Sequence, residues 1–282
     1  MKISIASGKG GTGKTIIATS LAISIGDCQF LDCDVEEPNA HIFLKPSFHT
    51  TKTIYVDIPL IDNNKCTNCG ICSEVCEFNA LAQLPEHVIF FAELCMSCNA
   101  CKVLCPENAI SMQDKEVGKV NIGKSMKNIE FVNGYLRVGS PRAIPVINAV
   151  KNYIDKSRIS LLDAPPGNSC PVIETINETD FCILVTEPTP FGLWDLKIAV
   201  EVAKKLSLLI GIIINRYGLG YEKEIEKYCE KENIPIIMKV PYERSIAEAY
   251  SKGIPLVEHK KDWQKKFLNL LAQIKDLVEN NG

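Results

Sequence analysis

SGKGGTGKT, residues 7–15, satisfies two phosphate-binding patterns at once. Gly8, Gly10 and Gly13 fit G-x-G-x-x-G, while Gly8, Gly13, Lys14 and Thr15 fit G-x-x-x-x-G-K-[ST]. A dinucleotide loop wants a carboxylate about 20 residues further on for a ribose hydroxyl, and Asp32 meets that condition. Lys14 and Thr15 separate the two readings. An ammonium at the start of a helix neutralises β- and γ-phosphate charge, and the neighbouring hydroxyl takes Mg²⁺. A dinucleotide loop needs neither, so the stretch reads as a nucleoside-triphosphate loop. Lys9 belongs to neither pattern.

Outward from the loop, apolar strand-like runs alternate with helical spacing. KISIAS (2–7), CQFLDCD (28–34), SLLDAPPG (160–167), FCILVTEPTP (181–190), LLIGIIINR (208–216) and IPIIMKVP (234–241) read as strands. Residues 14–26, 141–156, 191–206, 221–233 and 243–253 read as helices. Continuous apolar strands between helices predict an α/β fold, a mostly parallel sheet with helices on both faces. Ligands of such sheets bind at the carboxyl ends of the strands, where Asp32, Asp34 and Asp163 are expected. Asp163 suits a place on the metal shell. Residues 119–139 read as a small β element carrying no site. The last segment puts Trp263, Phe267, Leu270, Leu271, Ile274, Leu277 and Val278 on one helical face. Core packing is the expected reading of such a stripe, with a membrane-surface helix as the alternative.

The 282 residues carry a net charge of −3 and 46% hydrophobic residues, which gives no footprint for nucleic acid. No run resembles a signal peptide or a membrane span, so a cytoplasmic protein is expected, with no nucleic-acid or membrane partner. Cysteine is the outlier: there are 13, eight of them between Cys66 and Cys105. Clustered thiols in such a chain bind metal more often than they form disulfides. From Asp57 to Glu116 nine residues are acidic and three basic. Residues 57–117 therefore read as an acidic insert in a host made of residues 1–56 and 118–282. Cys28, Cys33, Cys170, Cys182 and Cys229 are scattered and read as packing residues. His41, His49, His87 and His259 form no spaced pair.

Cys66, Cys69, Cys72 and Cys76 have the spacing C-x2-C-x2-C-x3-C, and Cys95, Cys98, Cys101 and Cys105 repeat it, followed by Pro106. This is the bacterial two-cluster ferredoxin pattern, in which the fourth cysteine of each run ligates the other cluster. Cys66, Cys69, Cys72 and Cys105 would hold one [4Fe–4S] cluster, and Cys95, Cys98, Cys101 and Cys76 the other. Zinc is the alternative, although zinc motifs usually pair C-x2-4-C units across a longer gap. Glu77 stands where a proline often follows the first run. An insert of this size buries little apolar surface, so its metals are expected to supply much of its stability.

The run Lys9-Gly10-Gly11-Thr12-Gly13-Lys14-Thr15 resembles the deviant Walker A loop of the MinD/ParA ATPases, a family that includes the nitrogenase iron protein and the Mrp-type iron–sulfur carriers. DCDVEEPN (32–39), DAPPG (163–167), NRY (215–217) and VPYE (240–243) match its two switches and base-binding stretches. The resemblance implies ATP/ADP and Mg²⁺ as cofactors. It makes Lys9, Lys14 and Asp34 catalytic, Lys9 reaching the partner's nucleotide in an ATP-state dimer and Asp34 activating water. Thr15, Asp32 and Asp163 would hold Mg²⁺, and Gly167 would sense the γ-phosphate. Asn215 would bind adenine, and Gly8, Gly10, Gly11, Thr12, Gly13, Ile16, Arg216 and Pro241 would complete the nucleotide site. DAPPGNSCPVI and TEPTPFGLWDL resemble a subgroup of MinD-like ATPases with an inserted ferredoxin domain.

Three functions follow from the resemblance: an ATPase that assembles or delivers a metal cluster on a partner protein, an ATP-gated electron donor to a redox acceptor, or a positioning ATPase whose clusters sense redox state or staple the fold. The motifs are compatible with an ATP-state dimer of two copies or of two related ATPases.

Overall fold

The computed structural model describes residues 1–280. From the amino end run β1 (Lys2–Ser7), α1 (Lys14–Ile25), β2 (Gln29–Asp32), α2 (Ala40–Leu44) and β3 (Ser47–Ile61). The cysteine-bearing stretch contributes α3 (Ile71–Glu74), β4 (Leu81–Gln83), β5 (Val88–Phe90) and α4 (Ala100–Val103). Then come β6 (Ile110–Lys124), β7 (Glu130–Leu136), α5 (Ala143–Lys151), β8 (Ser160–Pro166), α6 (Cys170–Ile176) and β9 (Phe181–Thr186). The chain closes with α7 (Pro190–Lys205), β10 (Ile210–Tyr217), α8 (Glu222–Lys231), β11 (Ile236–Pro241), α9 (Arg244–Ser251), α10 (Leu256–His259) and α11 (Asp262–Glu279).

Nine strands form one sheet in the order β11-β10-β9-β1-β8-β2-β7-β6-β3. Every pairing from β11 to β7 is parallel, and the last two are antiparallel. β1 lies between β8 and β9, so the loop that follows it leaves the middle of the sheet. Alternate strand residues serve opposite faces. Ile3, Ile5, Phe30 and Phe131 pack under α1 and α11, while Ala6, Leu162, Ala164 and Leu184 face α5, α6 and α7. The apolar stripe of α11 packs on the core, burying Trp263, Phe267, Leu270, Leu271 and Ile274. Among the described residues no helix is long and apolar enough to cross a membrane.

Residues 119–139 are not a separate small element. They carry the end of β6 and all of β7, and β7 pairs in parallel with β2 inside the main sheet. Val132 and Phe131 fill its two faces, and that demand overrides the turn-rich local composition.

β3 and β6 are each 15 residues long and pair from Ser47–Lys124 to Ile61–Ile110. Gly118 opposes Leu136, the last residue of β7. Beyond that point the hairpin continues past the carboxyl edge of the parallel strands, carrying residues 62–109 at its tip on the side of the β1–α1 loop. Both strands continue through residues 56–57 and 117–118, with a register shift at Val117 opposite the Ile54–Tyr55 step, so the hairpin itself is the joint.

Candidate functional site

The loop after β1 wraps the start of α1. Gly13, at φ 89°, turns the chain into the helix, and no side chain caps the first-turn N–H groups. Such a helix end favours an anion. A Cβ on Gly13 would lie 2.2 Å from Asn215 Nδ2, and one on Gly8 would lie 2.4 Å from the Asp195 carbonyl of α7. Both glycines answer to close neighbours from distant parts of the chain.

Lys14 is buried and bonds Asp163 at 2.6 Å. Among the described residues the other Asp163 oxygen, Oδ2, is buried without a partner. Asp32 accepts the N–H groups of Asp34 and Ala40, both at 3.2 Å. The three carboxylates and Lys14 thus share one buried centre. Burial works to lower the Lys14 ammonium, but Asp163, Asp34 and Asp32 outweigh it and hold its pKa above the usual value. Burial, reinforced by Asp163, pushes the Asp32 carboxyl up. Burial likewise pushes Asp34 up to about 6 against the pull of Lys14. A site that charges its carboxylates at this cost is suited to a cation.

In front of this centre lies a cleft of about 310 Å³. Gly10, Gly11, Thr12, Gly13, Lys14, Thr15, Ile16, Asp34, Asn215, Arg216 and Pro241 line it. Asp32 and Asp163 stand behind it, joined to its wall through Asp34 and Lys14. Asn215 Nδ2 donates to the Thr12 carbonyl at 2.7 Å, and Arg216 Nη2 to the Gly11 carbonyl at 3.0 Å. Gly167 stands at φ 97° and its N–H donates to the Ser7 carbonyl at 3.0 Å. Lys9 turns back onto its own chain and pairs with Glu187, whose second oxygen accepts from Arg216 at 2.5 Å.

The cysteines form two quartets. Cys66, Cys69, Cys72 and Cys105 line one small cavity, together with Ile61 and Ile110 at the tip of the hairpin. Cys76, Cys95, Cys98 and Cys101 line a second, with Pro59 and Met112 one step nearer the sheet. The Cys72 thiol is pushed up by burial and by its neighbours Cys66, Cys69 and Cys105. Cys101 is pushed up to about 11 by burial and by Cys95 and Cys98. Each cysteine of the second run follows its counterpart by 29 positions, and the backbone repeats with it. Asn68, Gly70 and Asn79 in the first half, and Ser97, Asn99 and Asn108 in the second, hold positive φ. N–H groups of Ala80, Ser97 and Ala109 point at the sulfurs of Cys76, Cys95 and Cys105, at 3.2, 3.4 and 3.4 Å. Among the described residues no three Cys, His, Asp or Glu side chains converge on a point that would hold a single metal ion.

The profile of the CobQ/CobB/MinD/ParA nucleotide-binding domain matches residues 3–256. The chain belongs to this family. An uncharacterized protein of Methanocaldococcus jannaschii is 31% identical over 264 residues, 90% of each chain. An iron–sulfur cluster carrier protein of the same organism is 28% identical over 134 residues, 42% of this chain and 46% of that one. The septum site-determining protein MinD of Pyrococcus horikoshii, solved with Mg-ADP, superposes with a TM-score of 0.58 at 20% identity, covering 100% of this chain and 98% of that one. That likeness shows a MinD-like fold.

Two parts of this family member's site were absent from the sequence reading. Ile246, Ala247 and Tyr250 of α9 and Leu256 of α10 form the apolar wall of the cleft. The apolar face of α9 was the available signal, but nothing local says which cavity it faces. Glu187 lies 178 positions from Lys9 and 29 from Arg216, and it is only 9% exposed at the side chain. A carboxylate in TEPTP, at a strand's carboxyl end, was its only sign.

Proposed function

We propose that this chain is an ATP-hydrolysing iron–sulfur protein whose nucleotide state is coupled to assembly or delivery of a metal cluster on a partner protein. The observation that carries it is the placing of two four-cysteine cavities on a hairpin that leaves the sheet at the same carboxyl edge as the nucleotide cleft. Partial similarity to an iron–sulfur cluster carrier supports the cargo side of the reading.

For ATP, α1 presents its N–H groups and Lys14 to the β- and γ-phosphates, and Thr15 offers its hydroxyl to Mg²⁺. Lys14 would exchange Asp163 for phosphate, leaving Asp163 and Asp32 to the metal shell. Asp34, on the cleft wall, would orient the attacking water. Asn215, Pro241 and the α9 wall would receive the base. Lys9 would leave Glu187 to reach the nucleotide of a second subunit, either another copy or a related ATPase, so that the dimer belongs to the ATP state. Gly167 would release Ser7 to meet the γ-phosphate.

The cysteine cavities fit [4Fe–4S] clusters: four thiols around a space rather than a point, with N–H groups turned to the sulfurs. Cys66, Cys69, Cys72 and Cys105 would hold the outer cluster and Cys76, Cys95, Cys98 and Cys101 the inner one. When bound, such clusters supply one-electron chemistry at potentials set by hydrogen bonds and burial. Residues 57–117 would then be a ferredoxin-like insert. A second reading, an ATP-gated electron donor, is favoured by the nearness of the quartets: Cys72 and Cys101 touch one apolar cluster. The deciding experiment mixes anaerobic, cluster-loaded protein with an apo [4Fe–4S] acceptor. Mg-ATP-dependent transfer of iron and sulfide supports delivery. Electron transfer with both clusters retained supports the donor. Neither process in a protein that contains iron would end both readings.

A further inference from the structure

The two halves of the cysteine segment share a backbone but are not held in the same way. In the outer half Asn68 Nδ2 donates to the carbonyls of Leu84 and Pro85 at 2.7 and 2.9 Å, and Gln83 Nε2 to the Asn68 carbonyl at 2.6 Å. All of these groups are neutral and lie within the segment. The inner half is held from outside by two charges, an exposed one, Lys115 of β6 on Glu93 at 3.1 Å, and a buried one, Arg142. Arg142 stands immediately before α5 and is 2% exposed. Its Nη1 donates to the Cys95 carbonyl at 2.9 Å and to Ser97 Oγ at 3.3 Å, and its Nη2 to the Ala92 carbonyl at 3.3 Å. Three hydrogen bonds from the terminal nitrogens of one buried guanidinium, whose Nε is buried without a partner among the described residues, fix that loop, because charge-assisted hydrogen bonds are the stronger class and breaking a buried charge's partners is costly.

The other end of this connection reaches the nucleotide loops. Leu136 donates its N–H to the Val35 carbonyl at 2.7 Å, one residue from Asp34. Arg137 donates to Val117 at 2.8 Å, Ser140 to Arg137 at 2.9 Å, and the Arg142 N–H to Ser140 Oγ at 3.4 Å. Residues 136–140 line a cavity of about 520 Å³ whose other walls are Asp34, Glu36 and Glu37 on one side and Pro165, Pro166 and Ser169 on the other. The strap 136–142 is therefore bonded to the loop after β2, faces the loop after β8 across this cavity, and ends on the loop carrying Cys95.

We propose that Arg142 is a positioning residue through which the nucleotide loops set the position of loop 92–97 and hence of the inner cysteine quartet. The outer quartet, held by groups of its own segment, takes no direct part and faces the partner. This rests on the quartets being cluster sites, and the test separates the two claims.

Hydrogen exchange is followed by mass spectrometry on the full, anaerobically loaded chain, with and without a non-hydrolysable Mg-ATP analogue. In the native sequence exchange at residues 10–16, 92–97 and 136–142 slows by about threefold or more with nucleotide, while 66–72 changes less. Arg142→Met abolishes the response at 92–97 and keeps it at 10–16. Arg142→Lys restores part of it, and Gln83→Ala leaves it intact. A silent 92–97 in the native sequence overturns the proposal, as does a response that survives in Arg142→Met. If Arg142→Met does not fold, the native sequence and Arg142→Lys decide. Iron content, counted on the same samples, tests the cluster reading separately: a metal-free protein with a responsive loop 92–97 refutes the clusters and not the strap.

Discussion

Lys14 has two partners to serve. In the structure its ammonium neutralises Asp163 inside the fold, and by the proposed function it later serves phosphate. Removing it leaves Asp163 a buried and unpaired charge. Lys14→Met should therefore cost about 3–5 kcal/mol in denaturant titrations of the nucleotide-free protein, as well as abolishing ATP binding. Adding Asp163→Asn should recover most of that stability but no binding; equal stability of native and Lys14→Met proteins would refute the pairing. Glu187 holds Lys9 and Arg216 together. Glu187→Gln frees Lys9 for a second subunit, and the ATPase rate at limiting protein concentration should rise about two- to fivefold, the population shift matched to an ion pair of up to about 1 kcal/mol. An unchanged rate would assign the latch no part in turnover. The remaining thiols divide by environment. Burial pushes Cys28 up to about 12, Cys182 and Cys229 up to about 11, and Cys33 higher still, whereas Cys170 is exposed. A maleimide should label only Cys170 in the cluster-loaded native protein, and the eight quartet cysteines as well after chelation.

The elements were largely legible in the sequence, and the reasons are local. KISIAS, FCILVT and IGIIIN are apolar on both faces because both faces of their strands are covered, and α1 begins where Gly13 permits the turn. The stripe of α11 was readable at the period of a helix, and its packing makes Phe267→Ala cost about 3–5 kcal/mol in chemical denaturation; a loss below 1 kcal/mol would mean the helix does not anchor the sheet. The cysteine spacing was readable because a cluster fixes ligand separation along the chain. What was not legible depends on partners far apart in sequence. β7 joins β2 across about 100 residues, so residues 119–139 looked like a local β element. Glu187 and Arg142 are ordinary residues until the fold brings Lys9 and Cys95 to them. The hairpin carries a prediction of its own. With its metals chelated, the tip at residues 62–109 should be cut first by protease, while β3 and β6 stay paired as far as Gly118. Earlier cutting in α7 or α8 would contradict that order.

The whole molecule sets a phosphate-binding centre and two thiol cavities on the same edge of one sheet, with Lys9 at the surface where a second subunit would meet the nucleotide. The charge distribution follows the same division, the cysteine segment being acidic and the remainder close to neutral. An acidic tip suits a partner with a basic face, whose encounter would weaken with salt. On the proposed function ATP and the clusters occupy one coupled machine. The most direct test is electron paramagnetic resonance of anaerobically purified, dithionite-reduced protein, with and without Mg-ATP, beside iron counting. About eight iron atoms per chain are expected, with two interacting [4Fe–4S]⁺ signals whose shape or potential changes with Mg-ATP. Two clusters indifferent to ATP would contradict the coupling, and zinc in place of iron would contradict both the clusters and the coupling.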